Sequence, residues 1–184
     1  MAFARRAFLK SSLGAIGAAG VLGAAPLALA FPERDVRRLM FDNLHTGEQL
    51  AVAYWEDGAY VPQALWAVNR VLRDHRTNEV HIIAPGLLDL LTALSGTLQS
   101  PAVYEVISGY RSASTNAMLH AESAQVATGS LHMKGEAIDI RMPGRACSQI
   151  RDAALYLYQG GVGYYGTSDF VHVDVGQPRT WSGA

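Results

Sequence analysis

Three residues of this chain have the makings of an open metal site: His132, Asp139 and His172. They belong to two short stretches, Ser130 to Asp139 (Ser-Leu-His-Met-Lys-Gly-Glu-Ala-Ile-Asp) and Phe170 to Asp174 (Phe-Val-His-Val-Asp). Two imidazoles and one carboxylate form a zinc donor set with a fourth position left for water, the pattern of catalytic rather than structural sites. Zinc so held lowers the pKa of its water to about 7 and makes it a nucleophile for a carbonyl. Hydrolysis of an amide needs three helpers besides: a base for the water's proton, an acid for the leaving amine, and a positive group for the developing oxyanion. Each of the three residues alone reads as an ordinary surface or core side chain. The combination carries the metal reading.

Candidates for the helpers lie close by. Asp169, three residues before His172, is the first candidate for the base and acid, although Thr167-Ser168-Asp169 also reads as a turn. Asp174 is its rival, either as the base or as a partner that orients a ligand imidazole. Arg111 sits in the tight stretch Ser108-Gly109-Tyr110-Arg111-Ser112, and its planar fork suits a substrate carboxylate or an oxyanion. Ser130 either bonds substrate or caps the loop. Tyr164, Tyr165 and Trp181 are candidate walls of a groove, with Tyr165 the one expected to touch substrate. His45, His75, His81 and His120 have no partner pattern and read as surface residues.

The elements that must position these groups follow from periodicity. Residues 136–141 alternate around Ile138 and Ile140, and residues 170–174 around Val171 and Val173, so both read as half-buried strands. Side chains two apart share a strand face. If the strands are neighbours with their aliphatic residues in the core, Asp139 and His172 emerge on one side, and His132 reaches in from the preceding Gly-containing loop. Glu136 has the opposite parity to Asp139 and should point away. A register slip of one residue would turn the ligands into the core.

Upstream, residues 38–43 and 48–54 read as a β-hairpin joined through Thr46-Gly47, and Asp57-Gly58 marks a further turn. Val61 to Asp74 is helical in pattern, with Leu65, Val68, Val71 and Leu72 as its apolar stripe. Pro85 suits the first turn of a helix through Leu98 whose leucines belong to the core. Val103 to Ile107 is a central strand that delivers the chain to Arg111. A short helix and a loop over the site occupy 113–127, and a last helix runs from Ala146 to Gln159. The expected class is α+β: a small, mainly antiparallel sheet with helices packed on one side and the zinc site on the sheet.

The chain has 184 residues, of which the first thirty read as an export signal. Arg5 and Arg6 make a twin-arginine start, and a Gly/Ala-rich apolar run ends in Ala28-Leu29-Ala30. The seven alanines and four glycines between 13 and 30 make that run too weakly hydrophobic for an anchor, so cleavage after Ala30 is expected. That leaves a single domain, 31–184, and no stable membrane insertion. Losing Arg5, Arg6 and Lys10 without any acid takes the formal charge from −1 to about −4, which gives no footprint for nucleic acid. Cys147 is the single cysteine, so no disulfide framework exists.

With those residues in place the chain resembles the D-Ala-D-Ala carboxypeptidase, lysostaphin and hedgehog group of zinc peptidases. The likeness is carried by Ser108-Gly109-Tyr110-Arg111-Ser112 with Asn116, by Ser130, His132, Gly135, Ala137 and Asp139, and by Phe170 through Gly176. Gly163-Tyr164-Tyr165 and Arg179-Thr180-Trp181 bring it closest to the exported murein endopeptidase branch. The resemblance implies a zinc metallopeptidase that hydrolyses peptidoglycan cross-links in the bacterial envelope; a monomer acting on peptide stems in the periplasm is expected. His132, Asp139 and His172 match its ligands, Arg111 its substrate- or oxyanion-binding arginine, and Asp169 the acid three before the last histidine. Many relatives carry glutamate there, and another branch uses His-x-His where this chain has His-Val-Asp. The competing expectations are a D,D- or L,D-carboxypeptidase trimming stem ends, and a non-catalytic zinc-stabilised module that binds cell wall.

Overall fold

The structure is a computed structural model that describes residues 35–123 and 126–183; the expected signal, 1–30, lies outside them. The hairpin pattern forms as β1 (Val36–Asn43) and β2 (Gln49–Glu56), antiparallel, and the Asp57-Gly58 turn adds the short β3 (Ala59–Tyr60). Helices α1 (Pro62–Val71) and α2 (Pro85–Thr97) each start on a proline, whose missing N–H costs nothing in a first turn. They carry the chain across to β4 (Val103–Ser108), which pairs parallel with β1. A parallel neighbour requires such a crossover.

Helix α3 (Ala113–Glu122) follows, then a 3-10 turn (Leu131–Lys134), β5 (Ala137–Arg141), α4 (Cys147–Leu157), β6 (Gly161–Tyr165), β7 (Phe170–Asp174) and β8 (Arg179–Gly183). The strands form one sheet of eight in the order β3-β2-β1-β4-β5-β7-β6-β8. Neighbours run antiparallel except β1 with β4 and β6 with β8. The α+β reading holds, with a wider sheet than the sequence patterns outline, because β3 and β8 show no alternation of their own. The connection from β7 to β8 crosses the start of β6. There Gly160 is required: a Cβ would lie 1.7 Å from the Asp174 carbonyl oxygen.

The core lies where α1, α2 and α4 meet the sheet. Leu39 and Phe41 of β1, Ile138 and Ile140 of β5, and Val171 and Val173 of β7 are buried against Leu87, Leu88, Leu91, Leu94 and Ile150. At about 1.5–3 kcal/mol for each large aliphatic side chain buried, this layer is the main support of the strand register. In α1 the buried positions are Ala64, Val68 and Val71, spaced i, i+4, i+7, so Leu65 is turned to the edge of the stripe and is only half-buried. Helix α3 adds nothing to the apolar core; its buried residues are Thr115 and Asn116. Among the described residues no helix is long and apolar enough to cross a membrane.

Candidate metal centre

β5 and β7 pair antiparallel with Asp139 directly opposite His172. Their aliphatic residues face the core, so both polar side chains emerge on the other face, as the alternation predicts. His132 comes from the 3-10 turn. Ser130 caps that turn, its Oγ accepting from His132 N at 3.3 Å, and Gly135 ends it at φ 67°. Gly135 also lets two segments meet closely: a Cβ there would lie 2.1 Å from the Ile82 carbonyl oxygen, and Ala84 N donates to Gly135 O at 2.9 Å.

The three side chains converge and are all buried. His132 Nε2 lies 3.2 Å from Asp139 Oδ1 and 3.1 Å from His172 Nδ1, which is itself 2.9 Å from Asp139 Oδ1. Tetrahedral zinc with ligands at 2.0–2.1 Å spaces them about 3.3 Å apart, close to this triangle. The outer ring nitrogens are also tied. His132 Nδ1 donates to Gly109 O at 2.7 Å, and His172 Nε2 donates to Asp174 Oδ2 at 3.0 Å. Both imidazoles therefore turn a lone pair toward the centre of the triangle. That donor set fits a divalent ion.

The charges agree. Burial works against ionised Asp139, yet His132 and the Arg111 guanidinium hold its carboxyl well below the usual range. Burial pushes the His132 imidazole down, favouring its neutral, ligating form. Burial acts on His172 in the same sense, but the hydrogen bonds to Asp139 and Asp174 outweigh it and raise that ring.

Arg111 lies beside the triangle, with its guanidinium paired to Asp139 and not free for a substrate carboxylate. Its Nη2 bonds Asp139 Oδ2 and its Nε donates to Ser108 Oγ at 2.8 Å, so it steadies the carboxylate whose other oxygen faces the histidines. Its own loop is anchored by Asp74, a buried acid that accepts from Ser112 N at 2.8 Å. A cavity of about 460 Å³ opens over the triangle, bordered by Arg111, Ser130, Tyr165, Phe170, Arg179 and Trp181. Tyr165 stacks on Phe170 with ring centres 4.4 Å apart, and its hydroxyl accepts from Trp181 Nε1 at 2.9 Å.

The two candidate acids part company. Asp174 is fully buried against His172, and its oxygens also accept from Gly161 N, Gly176 N and both Arg179 amino groups. Burial opposes its ionisation, but those donors hold the carboxyl below its ordinary range. Both of its oxygens are thus already accepting from protein donors. Asp169 departs from the expectation of a base in the cavity. It occupies a left-handed turn position, φ 54°, and its side chain is 65% exposed. It accepts from the Cys147 thiol at 3.2 Å and lies 3.7 Å from Arg141 Nη1, and it does not border the cavity. The thiol is pushed up to about 11 by burial and by that carboxylate, so it is inert as a nucleophile.

Sequence reasoning passed over two contributors. Arg179 entered only as part of the Arg179-Thr180-Trp181 likeness, with no role, and Gly109 acts through a backbone carbonyl that no residue type announces. Of the remaining histidines, His45 stacks on His75 and His81 on Tyr110, away from the triangle.

An α+β sheet with a buried His-Asp-His triangle at the floor of a cavity is the frame of a metal-dependent peptidase. The chain belongs to the peptidase family described as peptidoglycan L,D-endopeptidase MepK, whose profile matches residues 32–181. It is 42% identical over 177 residues to the peptidoglycan L,D-endopeptidase MepK of Escherichia coli strain K12, an alignment that covers 96% of each chain. The protein of the same name from Shigella flexneri matches to the same extent. The probable peptidoglycan L,D-endopeptidase MepK of Haemophilus influenzae is 44% identical over 148 residues, 80% of each chain. No solved structure matches the chain.

Proposed function

We propose that this protein is a zinc-dependent endopeptidase that hydrolyses peptide cross-links of peptidoglycan, with His132 Nε2, Asp139 Oδ1 and His172 Nδ1 as the metal ligands. The observation that carries this reading is the triangle of donor atoms, 2.9–3.2 Å on each side, with both outer ring nitrogens already bonded. The bound ion supplies Lewis-acid chemistry for attack on an amide carbonyl. The chain's residues do the rest. Gly109 O and Asp174 fix the two rings, and Arg111 fixes the Asp139 carboxylate at the border of the cavity. Ser130 holds the turn that presents His132, and Tyr165 with Phe170 and Trp181 walls the groove for the stem peptide.

Cutting within a chain is favoured over trimming its end by the state of the arginines. A carboxypeptidase needs a cation for the terminal carboxylate, and both arginines bordering the cavity are already paired with acids, Arg111 with Asp139 and Arg179 with Asp174. The relatives' name specifies an L,D bond, and we carry that specificity to this chain. Residues 1–30 serve as a twin-arginine signal cleaved after Ala30, which delivers the 31–184 domain to the periplasm as a monomer free of the membrane.

The test is digestion of purified peptidoglycan with product masses read by spectrometry. Cross-linked muropeptides should fall to monomers, chelation should stop the reaction, and stoichiometric zinc should restore it. Undiminished cleavage by metal-free protein would overturn the reading, and loss of single terminal residues from uncross-linked stems would favour the carboxypeptidase.

A further inference from the structure

The last strand, β8, sits at the sheet edge, and its side chains reach back to the metal ligands. Arg179 grips the Asp174 carboxylate with both amino groups, Nη1 to Oδ1 at 3.1 Å and Nη2 to Oδ2 at 2.6 Å. Asp174 Oδ2 is also the atom that accepts from His172 Nε2, at 3.0 Å. The guanidinium lies over the Trp181 ring, 5.0 Å from its centre, and that ring lies 5.1 Å from the His172 imidazole. A two-point grip fixes the plane of a carboxylate, which a point charge does not.

The surrounding backbone leaves room for this grip and for little else. A Cβ on Gly161 would lie 2.5 Å from both Arg179 Nη1 and Asp174 Oδ2. One on Gly163 would lie 2.6 Å from the Trp181 ring, and one on Gly176 would lie 2.7 Å from Leu131 Cδ1, 3.1 Å from Asp174 Oδ1 and 3.2 Å from Arg179 Nη1. Gly161 and Gly163 are thus accommodated to the guanidinium, the carboxylate and the indole, of which the carboxylate and the indole meet His172.

We infer that Arg179 is a positioning residue of the metal centre: through the plane of Asp174 it sets the His172 ring so that Nδ1 faces the other two ligands. This rests on the proposal that His132, Asp139 and His172 hold a divalent ion. It assigns to the β8 edge a part in the site that the ligand motif does not contain. Arg179 is not one of the three proposed ligands and acts on the site through Asp174.

The experiment is zinc titration of the full chain against a chromophoric chelator, for wild type, Arg179→Ala and Arg179→Lys, with thermal melts of the metal-free proteins alongside. Loss of an outer partner of a ligand histidine weakens metal binding roughly 10–100-fold. Arg179→Ala should show that loss, and Arg179→Lys, which keeps the charge without the fork, a smaller one. Cobalt loaded in place of zinc should show a changed visible spectrum in both variants. A merely structural arginine would lower the melting temperature and leave the affinity of the folded protein as it was. If Arg179→Ala does not fold, Arg179→Lys decides: weakened affinity supports the inference, and wild-type affinity with a wild-type cobalt spectrum overturns it. A wild-type chain that takes up no zinc overturns the metal proposal itself, and the inference with it.

Discussion

On the helix side of the β5–β7 pair, Ile138, Ile140, Val171 and Val173 are sealed into the core. On the opposite side the same two strands present Asp139, His172 and Asp174 to one another. The two faces share one backbone and do different work. The aliphatic face gains free energy by leaving water. The polar face gathers buried ionisable groups, which cost several kcal/mol each unless paired, and pairs them with Arg111 and Arg179. The lesson is a division of labour: register is set where packing is cheap, and the site inherits its geometry from that register.

Substitution on each face should break a different property. His132→Ala takes a ligand from the polar side, so cross-link cleavage should fall to background while the melting temperature of the metal-free protein holds. Ile138→Ala, on the other side, should lower unfolding stability by about 2–5 kcal/mol in denaturant titrations. Its folded fraction should still bind zinc. Loss of stability in the first variant, or loss of zinc by folded protein in the second, would erase the distinction between the faces.

Acid sharpens the comparison through Asp74, which anchors the Arg111 loop. Burial alone would raise its carboxyl, but hydrogen bonds from Thr115, Ser112 and Arg76 prevail and hold it below the ordinary range. A folded value below the unfolded one means that its stabilisation is complete above about pH 4 and drains away as pH falls toward the folded value. Thermal melts from about pH 6 to 3 should show Asp74→Asn declining less steeply than wild type. The smallest effect belongs to Asp169→Asn. Its carboxylate faces Cys147 and solvent and does not border the cavity, so cleavage rates should stay close to those of wild type. A loss of several orders of magnitude would return Asp169 to the role of base.

Alternation made the ligand strands legible, since Ile138 and Ile140 and then Val171 and Val173 announce both the strands and the face on which Asp139 and His172 lie. The same parity rule separates the acids: Asp174, two residues from His172, shares its face. Asp169, three residues away, falls in a turn whose backbone conformation directs it elsewhere. The Thr167-Ser168-Asp169 cluster was the available sign. What stayed hidden depends on backbone or on long-range packing. The Gly109 carbonyl has no sequence signature, and the grip of Arg179 on Asp174 requires β8 to lie beside β6, which the short Arg179–Gly183 stretch does not foretell. The width of the sheet was hidden for the same reason.

The Asp139–His172 contact joins positions 33 residues apart, and only the ladder between β5 and β7 brings them together. During synthesis, a nascent chain emerging from the ribosome holds His132 and Asp139 long before His172 appears. The full donor set thus comes into being only once the C-terminal strands have docked. An ion that needs all three donors would therefore be held only late in folding and could not serve as its nucleus.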